Sequence, residues 1–438
     1  MTPLLSARSQ MGFSLAFHII FAAMGVSLPL MMTVAEWRWL RTKEPVYLIL
    51  ARRWAKGAAI LFALGGVSGT ALSFELGLLW PRFMEKAGSV IGMPFSLEGF
   101  AFFTEAIFLG IYLYGWDRVP PLLHCISGAI VAVSGAVSAI FVTCVNAWMN
   151  TPAGFELVHG EFTNVHPLRA MFNPAALPEA IHMVLAAYCS VGFATAGVHS
   201  WLMLRRGRNR FDGVAIGIAL AVGGTAVLVQ GVSGDALARM VARTQPVKLA
   251  SLEGQFQSES GAPLRLGGLP NPRLRETRYA IEIPHGLSLL AFHNANARVS
   301  GLNDFPEADW PNVTLVHIAF QIMVGLGSVL SAIALCGAWL AWKSAPISKH
   351  PAFLRLLVLA SPLGFIALEA GWMVTELGRQ PWIISGILKT RDAVTELPHL
   401  LLPFVLVSVL YCVLGCIAVW LLAAHVIADP RNRDADTV

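Results

Sequence analysis

The stretch Glu369-Ala-Gly-Trp372-Met-Val-Thr-Glu376-Leu-Gly-Arg379-Gln-Pro-Trp382 decides how this chain is read. It closes a long apolar run that begins at Phe353. Glu369 and Glu376 stand seven residues apart, about two helical turns, so they share a helix face roughly 10 Å apart along the axis. Arg379 follows one turn later. Pro381 then stops the helix and Trp382 suits an interfacial anchor. Ionisable groups at the end of an apolar helix are costly and point to function by default. The competing reading is a helix end whose long side chains simply reach for water.

Working outward, the composition sets the class. Of 438 residues, 56% are hydrophobic and 13% charged, and the mean hydropathy is +0.63. This is an all-α, polytopic membrane protein. Nine apolar runs are long enough to cross a bilayer: 12–35, 55–79, 96–115, 122–148, 180–204, 212–233, 312–342, 352–376 and 399–426. The chain therefore divides into helices one to six (1–233), a polar segment rich in Gly, Pro, Arg and Glu (234–311), and helices seven to nine with a tail (312–438). An odd number of spans puts the termini on opposite sides. With the N-terminus outside (periplasmic), sixteen of the 31 Lys and Arg fall on the inside, including Arg431 and Arg433, and seven fall in short outside segments. The other eight lie in the long polar segment. That bias predicts an outer N-terminus and a cytoplasmic C-terminus. The first run spans rather than being cleaved. The net charge of +5 comes from loop residues and predicts no nucleic-acid partner. The six cysteines form no CxxC or CxxCH, which argues against c-type haem and thiolate clusters.

Placed on these spans, the ligand-type residues gather in the outer half of the membrane. His18 is two turns into span one. Glu98 opens span three and Glu105 lies two turns deeper on the same face. His182 follows Pro178 at the start of span five, Met323 is three turns into span seven, and Glu376 ends span eight. Each alone has an ordinary explanation: a structural histidine, a core methionine, a buried carboxyl. Together, His, Met and carboxylate make a set of axial ligands for haem iron, with a His/Met pair favouring a low-spin electron-transfer haem. Arg8 and Arg379 are placed for haem propionates, and Trp372 and Trp382 for pocket walls. A second track of polar groups runs inward through Glu98, Glu105, Ser138 and Asp117, as proton delivery requires.

These residues resemble subunit I of the cytochrome bd quinol oxidases. The matching stretches are Ser6-Ala-Arg8-Ser-Gln10 before His18; Glu98-Gly-Phe-Ala-Phe-Phe-Thr-Glu105; Gly115-Trp-Asp117-Arg118; Asn146-Ala-Trp-Met; His182; Lys248-Leu-Ala-Ser-Leu-Glu253; Ile281-Glu282-Ile-Pro284; Met323; and Gly371-Trp372 through Trp382. They span essentially the whole chain. The resemblance implies nine helices in a bacterial inner membrane and oxidation of quinol with reduction of dioxygen to water. It also implies three haems (hemes): a low-spin haem b on His182 and Met323, a high-spin haem b, and a haem d or a further haem b in its place. His18 and Glu376 would each hold one of the two high-spin haems. Glu98, Glu105 and Ser138 would serve proton delivery, with Glu369 on the face of Glu376. Lys248, Glu253 and Glu282 would contact quinol. Subunit II and a small single-helix accessory subunit are the implied partners, in contact with membrane lipid.

Two departures point to the short-loop, cyanide-insensitive-like branch: a short outer quinol loop, and Gln321 two residues before Met323 where the family often has Arg. An Arg there would favour the reduced low-spin haem, so Gln321 counts as a cofactor contact. The rivals are a cytochrome b anchor that only passes electrons and a transporter with a midplane site.

Overall fold

The computed structural model describes residues 2–427. The inner tail with Arg431 and Arg433 lies outside the described residues. The helices in order are α1 (Pro3–Thr42), α2 (Pro45–Leu79), α3 (Pro81–Tyr114), α4 (Pro121–Asn150), α5 (Pro167–Met171), α6 (Ala176–Arg206), α7 (Arg210–Thr244), α8 (Pro246–Glu253), α9 (Gly286–Phe292), α10 (Val313–Trp342), α11 (Pro351–Ala360), α12 (Leu363–Gly378), α13 (Thr390–Ala393) and α14 (Leu401–Leu422). Counting α11 with α12 as one span, nine among the described residues are long and apolar enough to cross a membrane. Among the described residues, strands occur only as two-stranded antiparallel ladders in the connections, so the fold is all-α.

Several helices outrun their apolar runs. α1 has 40 residues, about 60 Å, against a hydrocarbon core of about 30 Å. Its polar ends stay helical because Thr2 caps the start and Lys43 closes the end in the left-handed conformation. α3 begins at Pro81, a favoured first helical position, rather than near residue 96. α7 continues past residue 233 to Thr244, so the outer segment starts later than the hydropathy suggests. The eighth span breaks in two at Ser361-Pro362, where proline removes a backbone donor.

Successive spanning helices run antiparallel, which sorts the connections onto two ends. One end carries short turns: 43–44, 115–120, 207–209 and 343–350. The other carries every ladder and the helices α5, α8, α9 and α13. The main apolar core joins α1, α2, α6, α7 and α11, with Met31, Leu50, Phe193, Ile216 and Leu357 fully buried. A second core closes the elaborated end around Trp80, Phe83, Trp148 and Ile384. Two polar clasps are buried toward the short-turn end. His124 Nδ1 lies 2.8 Å from Glu36, and His199 Nδ1 lies 2.7 Å from Asp212.

Candidate haem centre and quinol face

At the elaborated end of α12, Glu376 uses both oxygens. Its Oε2 accepts from Arg379 Nη2 at 2.6 Å and its Oε1 accepts from Asn146 Nδ2 on α4. The Arg379 side chain is only 3% exposed, yet its Nε and Nη1 are buried without a partner. Buried guanidinium donors left open are expensive, and a planar carboxylate such as a haem propionate fits their fork. Glu376 retains lone pairs for a metal, since a carboxylate offers about four acceptor sites.

The two candidate histidines are oriented for metal. Ser68 Oγ donates to the Leu64 carbonyl at 2.8 Å, which uses its hydroxyl proton. The 2.9 Å contact with His18 Nδ1 must then be Nδ1–H donating to Ser68. Nε2 is left with its lone pair, the tautomer that ligation requires. His182 likewise anchors Nδ1, on Ser233 at 3.2 Å. A glycine faces His18, Met323 and His182 in turn. A Cβ on Gly69 would stand 3.0 Å from His18 Cε1, one on Gly371 3.1 Å from Met323 Sδ, and one on Gly234 3.5 Å from His182 Cε1. Small residues there keep room beside the donor atoms. These features together fit haem.

The proton track differs in register from the sequence reading. Because α3 starts early, Glu98 lies mid-helix rather than at its outer start. Ser138 is level with Glu98 and donates to it at 3.2 Å. Glu105, two turns further along α3, sits against Gly135, one turn before Ser138 on α4. Asp117 is exposed and pairs with Arg52 of α2 at 3.5 Å. Glu369 is half-buried, with Oε1 unpartnered. Trp372 packs on the main core, Trp382 lies under Lys389, and Arg8 is exposed near the start of α1.

Of the three predicted quinol contacts, Glu253 and Glu282 gather on Arg265 and Lys248 stands apart. Lys248 is buried and turned inward: Nζ donates to Asn150 Oδ1 at 2.6 Å, and its stem packs on Gly378. Burial lowers its ammonium to about 8. Glu253 is 1% exposed, and burial raises its carboxyl to about 8, opposed by Arg265. Five residues on a helix are about 140° apart around the axis, so the two cannot face one head group. Glu282 is exposed and bonded to Arg265 Nε at 2.9 Å.

Gln321 is also corrected. Its Oε1 accepts from Gly267 N and its Nε2 donates to Arg265 O, both at 3.0 Å, so its polar atoms pin the outer segment to α10. His317, one turn earlier, bridges the Leu252 and Gly267 carbonyls. Gln321→Leu should therefore cost about 1–3 kcal/mol locally. It should speed hydrogen exchange at Gly267 while leaving the low-spin potential unmoved, and an unchanged exchange rate would contradict the pin.

A pH effect follows from Glu253. Its folded value lies above the ordinary 4.5, so the folded state binds the extra proton between about 4.5 and 8. The stability this contributes is full below 4.5 and is lost as pH rises through 8. Amide protection in the 252–267 segment should fall from pH 6 to pH 9, and Glu253→Gln should flatten that fall. An equal fall in the variant would count against it.

Sequence reasoning assigned no role to Glu179, Asn146, Asn150, Gln10, Ser14 or Glu75. Glu179 lies buried among Lys248, Arg379 and Glu376. Glu75 Oε1 accepts from Gln10 Nε2 and Ser14 Oγ, each at 3.0 Å, one to two turns from His18 along α1. The heptad spacing of Ser68 and Glu75, and the presence of Gln10 and Asn146 in the matching stretches, were the signals available.

The family model for cytochrome bd terminal oxidase subunit I matches residues 6–430. This chain belongs to that family. A Bacillus subtilis protein described as a cytochrome bd menaquinol oxidase subunit I is 39% identical over 443 residues, covering 100% of this chain and 99% of that protein. The cytochrome bd-II ubiquinol oxidase subunit 1 of Escherichia coli is 28% identical, covering 98% and 97%. The solved bd oxidase of Geobacillus thermodenitrificans superposes with a TM-score of 0.92 at 39% identity, covering 98% of this chain and 99% of that one. Membership makes the chain part of a terminal respiratory oxidase, a multi-pass, haem-bearing quinol:dioxygen oxidoreductase of several subunits. The transporter and passive-anchor readings fall away.

Proposed function

We propose that this chain holds three haems near its elaborated end and joins quinol oxidation there to dioxygen reduction. His182 and Met323 would hold a low-spin haem b. His18 and Glu376 would each hold one of two high-spin haems, one b-type and the other haem d or a further haem b. When bound, these groups supply electron transfer and oxygen chemistry; the protein's own residues do the rest. Ser68 and Ser233 fix the imidazoles so that Nε2 points away from the anchoring hydroxyl. Arg379 offers its free Nε and Nη1 to a propionate while Nη2 holds Glu376. Glu98, its donor Ser138, and Glu105 stand in line along α3 to hold and pass protons.

The elaborated end would face the periplasm, with the N-terminus, and the short-turn end and tail the cytoplasm, in a bacterial inner membrane. The segment 234–311, between helices of 1–233 and 312–438, would be the quinol loop, with Glu253, Arg265 and Glu282 as its charged centre. Quinol protons would then leave outside and oxygen-bound protons come from inside, separating charge without a pump. Subunit II and a single-helix accessory subunit would complete the complex. The exposed Phe74, Phe100 and Phe103 on α2 and α3 support a further apolar neighbour there.

The observation that carries this reading is the Glu376–Arg379 pair with its buried, unpartnered guanidinium nitrogens. A reduced-minus-oxidised spectrum of the purified complex tests it. Low-spin b bands together with high-spin or chlorin bands are expected. Low-spin b bands alone would overturn it.

A further inference from the structure

Lys248 is the residue whose surroundings depart furthest from a quinol contact. It is 5% exposed, on α8, with its stem packed on Gly378 at the end of α12. Its ammonium donates to Asn150 Oδ1 at 2.6 Å. Asn150 Nδ2 donates to Asn146 Oδ1 at 3.1 Å, one turn back along α4. Asn146 Nδ2 donates to Glu376 Oε1. Four side chains thus make one unbroken line from the outer segment to Glu376.

The direction of that line is fixed by chemistry. A lysine ammonium can only donate, and an ionised carboxylate can only accept. Both amides between them must therefore stand head to tail, each taking a bond on oxygen and giving one from nitrogen. Chains of this kind polarise cooperatively in a low-dielectric interior. The ammonium at one end makes the donor at the other end stronger and withdraws electron density from Glu376.

The charge balance agrees. Lys248, Arg379, Glu179 and Glu376 lie close enough to act on one another, two cations with two anions, all largely out of water. Buried charges persist when paired in this way. A lysine meant for a head group in a polar loop needs neither the burial nor the chain.

We propose that Lys248 is a positioning residue for Glu376, acting through Asn150 and Asn146, and does not bind quinol. It holds Glu376 in one orientation and tunes its donor strength. This rests on the reading of Glu376 as a haem ligand.

Two variants test it. Lys248→Met keeps the stem and removes the charge. Asn150→Leu keeps the charge and cuts the line. For each, the apparent KM for quinol and the midpoint potential of the high-spin haems are measured on the assembled oxidase. Both variants should keep KM within about twofold while lowering the potential of one high-spin haem and shifting its band, Lys248→Met more than Asn150→Leu. A tenfold rise in KM with the potential unmoved would return Lys248 to the quinol site and overturn the proposal. Unmoved potentials in both variants would overturn it as well. If Lys248→Met does not assemble, Asn150→Leu decides alone, because it leaves the buried charges balanced. Glu376→Gln separates the two levels: if it leaves both high-spin haems intact, the ligand reading has failed; if it removes one while the two variants do nothing, only the relay has.

Discussion

Glu376→Gln should yield an oxidase complex that keeps its low-spin haem band, lacks one high-spin haem, and turns over at least about 100-fold more slowly. Loss of a supporting partner alone typically costs 10–100-fold at a metal site, and here the proposed ligand itself changes. The substitution is nearly isosteric, so its effect comes from charge and hydrogen bonding. Arg379 loses its counter-ion while its side chain is 3% exposed. Breaking a buried pair by removing one partner costs about 3–5 kcal/mol. The amide must also present nitrogen to one of two donors, Arg379 Nη2 or Asn146 Nδ2. Asn146 cannot turn over to accept it without disrupting the line through Asn150 to Lys248, which has no acceptor to offer. Every way of placing the new amide leaves a buried donor facing a donor. Full content of all three haems with wild-type turnover would remove Glu376 from the ligand set.

Much of the fold was legible because bilayer thickness imposes a length on every apolar run. All nine spans were found, and errors lay at their ends, where α1, α3 and α7 continue as polar helix beyond the hydrocarbon. Hydropathy cannot see that continuation: Thr2, Pro81 and the i,i+4 backbone bonds sustain it. Ser361-Pro362 was visible in the sequence, but an apolar run of suitable length masked the break. In the site, the one-turn spacing of Glu376 and Arg379 was plain in the sequence, and the structure joins the two in an i,i+3 ion pair. The partners of Gln321 and Lys248 were not legible for one reason. Sequence gives the angle between neighbours on a helix, but not which neighbouring element occupies each face. The 265–267 backbone covers Gln321, and α4 and α12 cover Lys248. Asn150 and Glu179 were overlooked because a lone Asn or Glu at a helix end also reads as a cap or an interfacial charge.

Met323→Leu should abolish the low-spin signature while leaving the high-spin haems in place. Leu and Met have similar volumes, and such exchanges in packed interiors usually cost less than about 1.5 kcal/mol, so the helix bundle survives. What disappears is the only soft donor atom of the side chain. Sδ faces Gly371 on α12, where a Cβ would stand 3.1 Å away. That close approach keeps the thioether in one place, and a branched Leu there presents only methyl groups. With His182 as the sole proposed ligand left, iron at this position would become high-spin or be lost. Quinol-driven turnover should fall by about two orders of magnitude or more, whereas dithionite should still reduce the other two haems, since their candidate ligands His18 and Glu376 are untouched. Gly371→Ala provides the graded case. Its Cβ must displace Sδ by a few tenths of an ångström, so the low-spin band should persist but shift, with a smaller loss of turnover. An unaltered low-spin band in Met323→Leu would refute the His182/Met323 pair. A Gly371→Ala variant as severe as Met323→Leu would instead make the close approach of α12 to α10, and not the sulfur, the feature on which this centre depends.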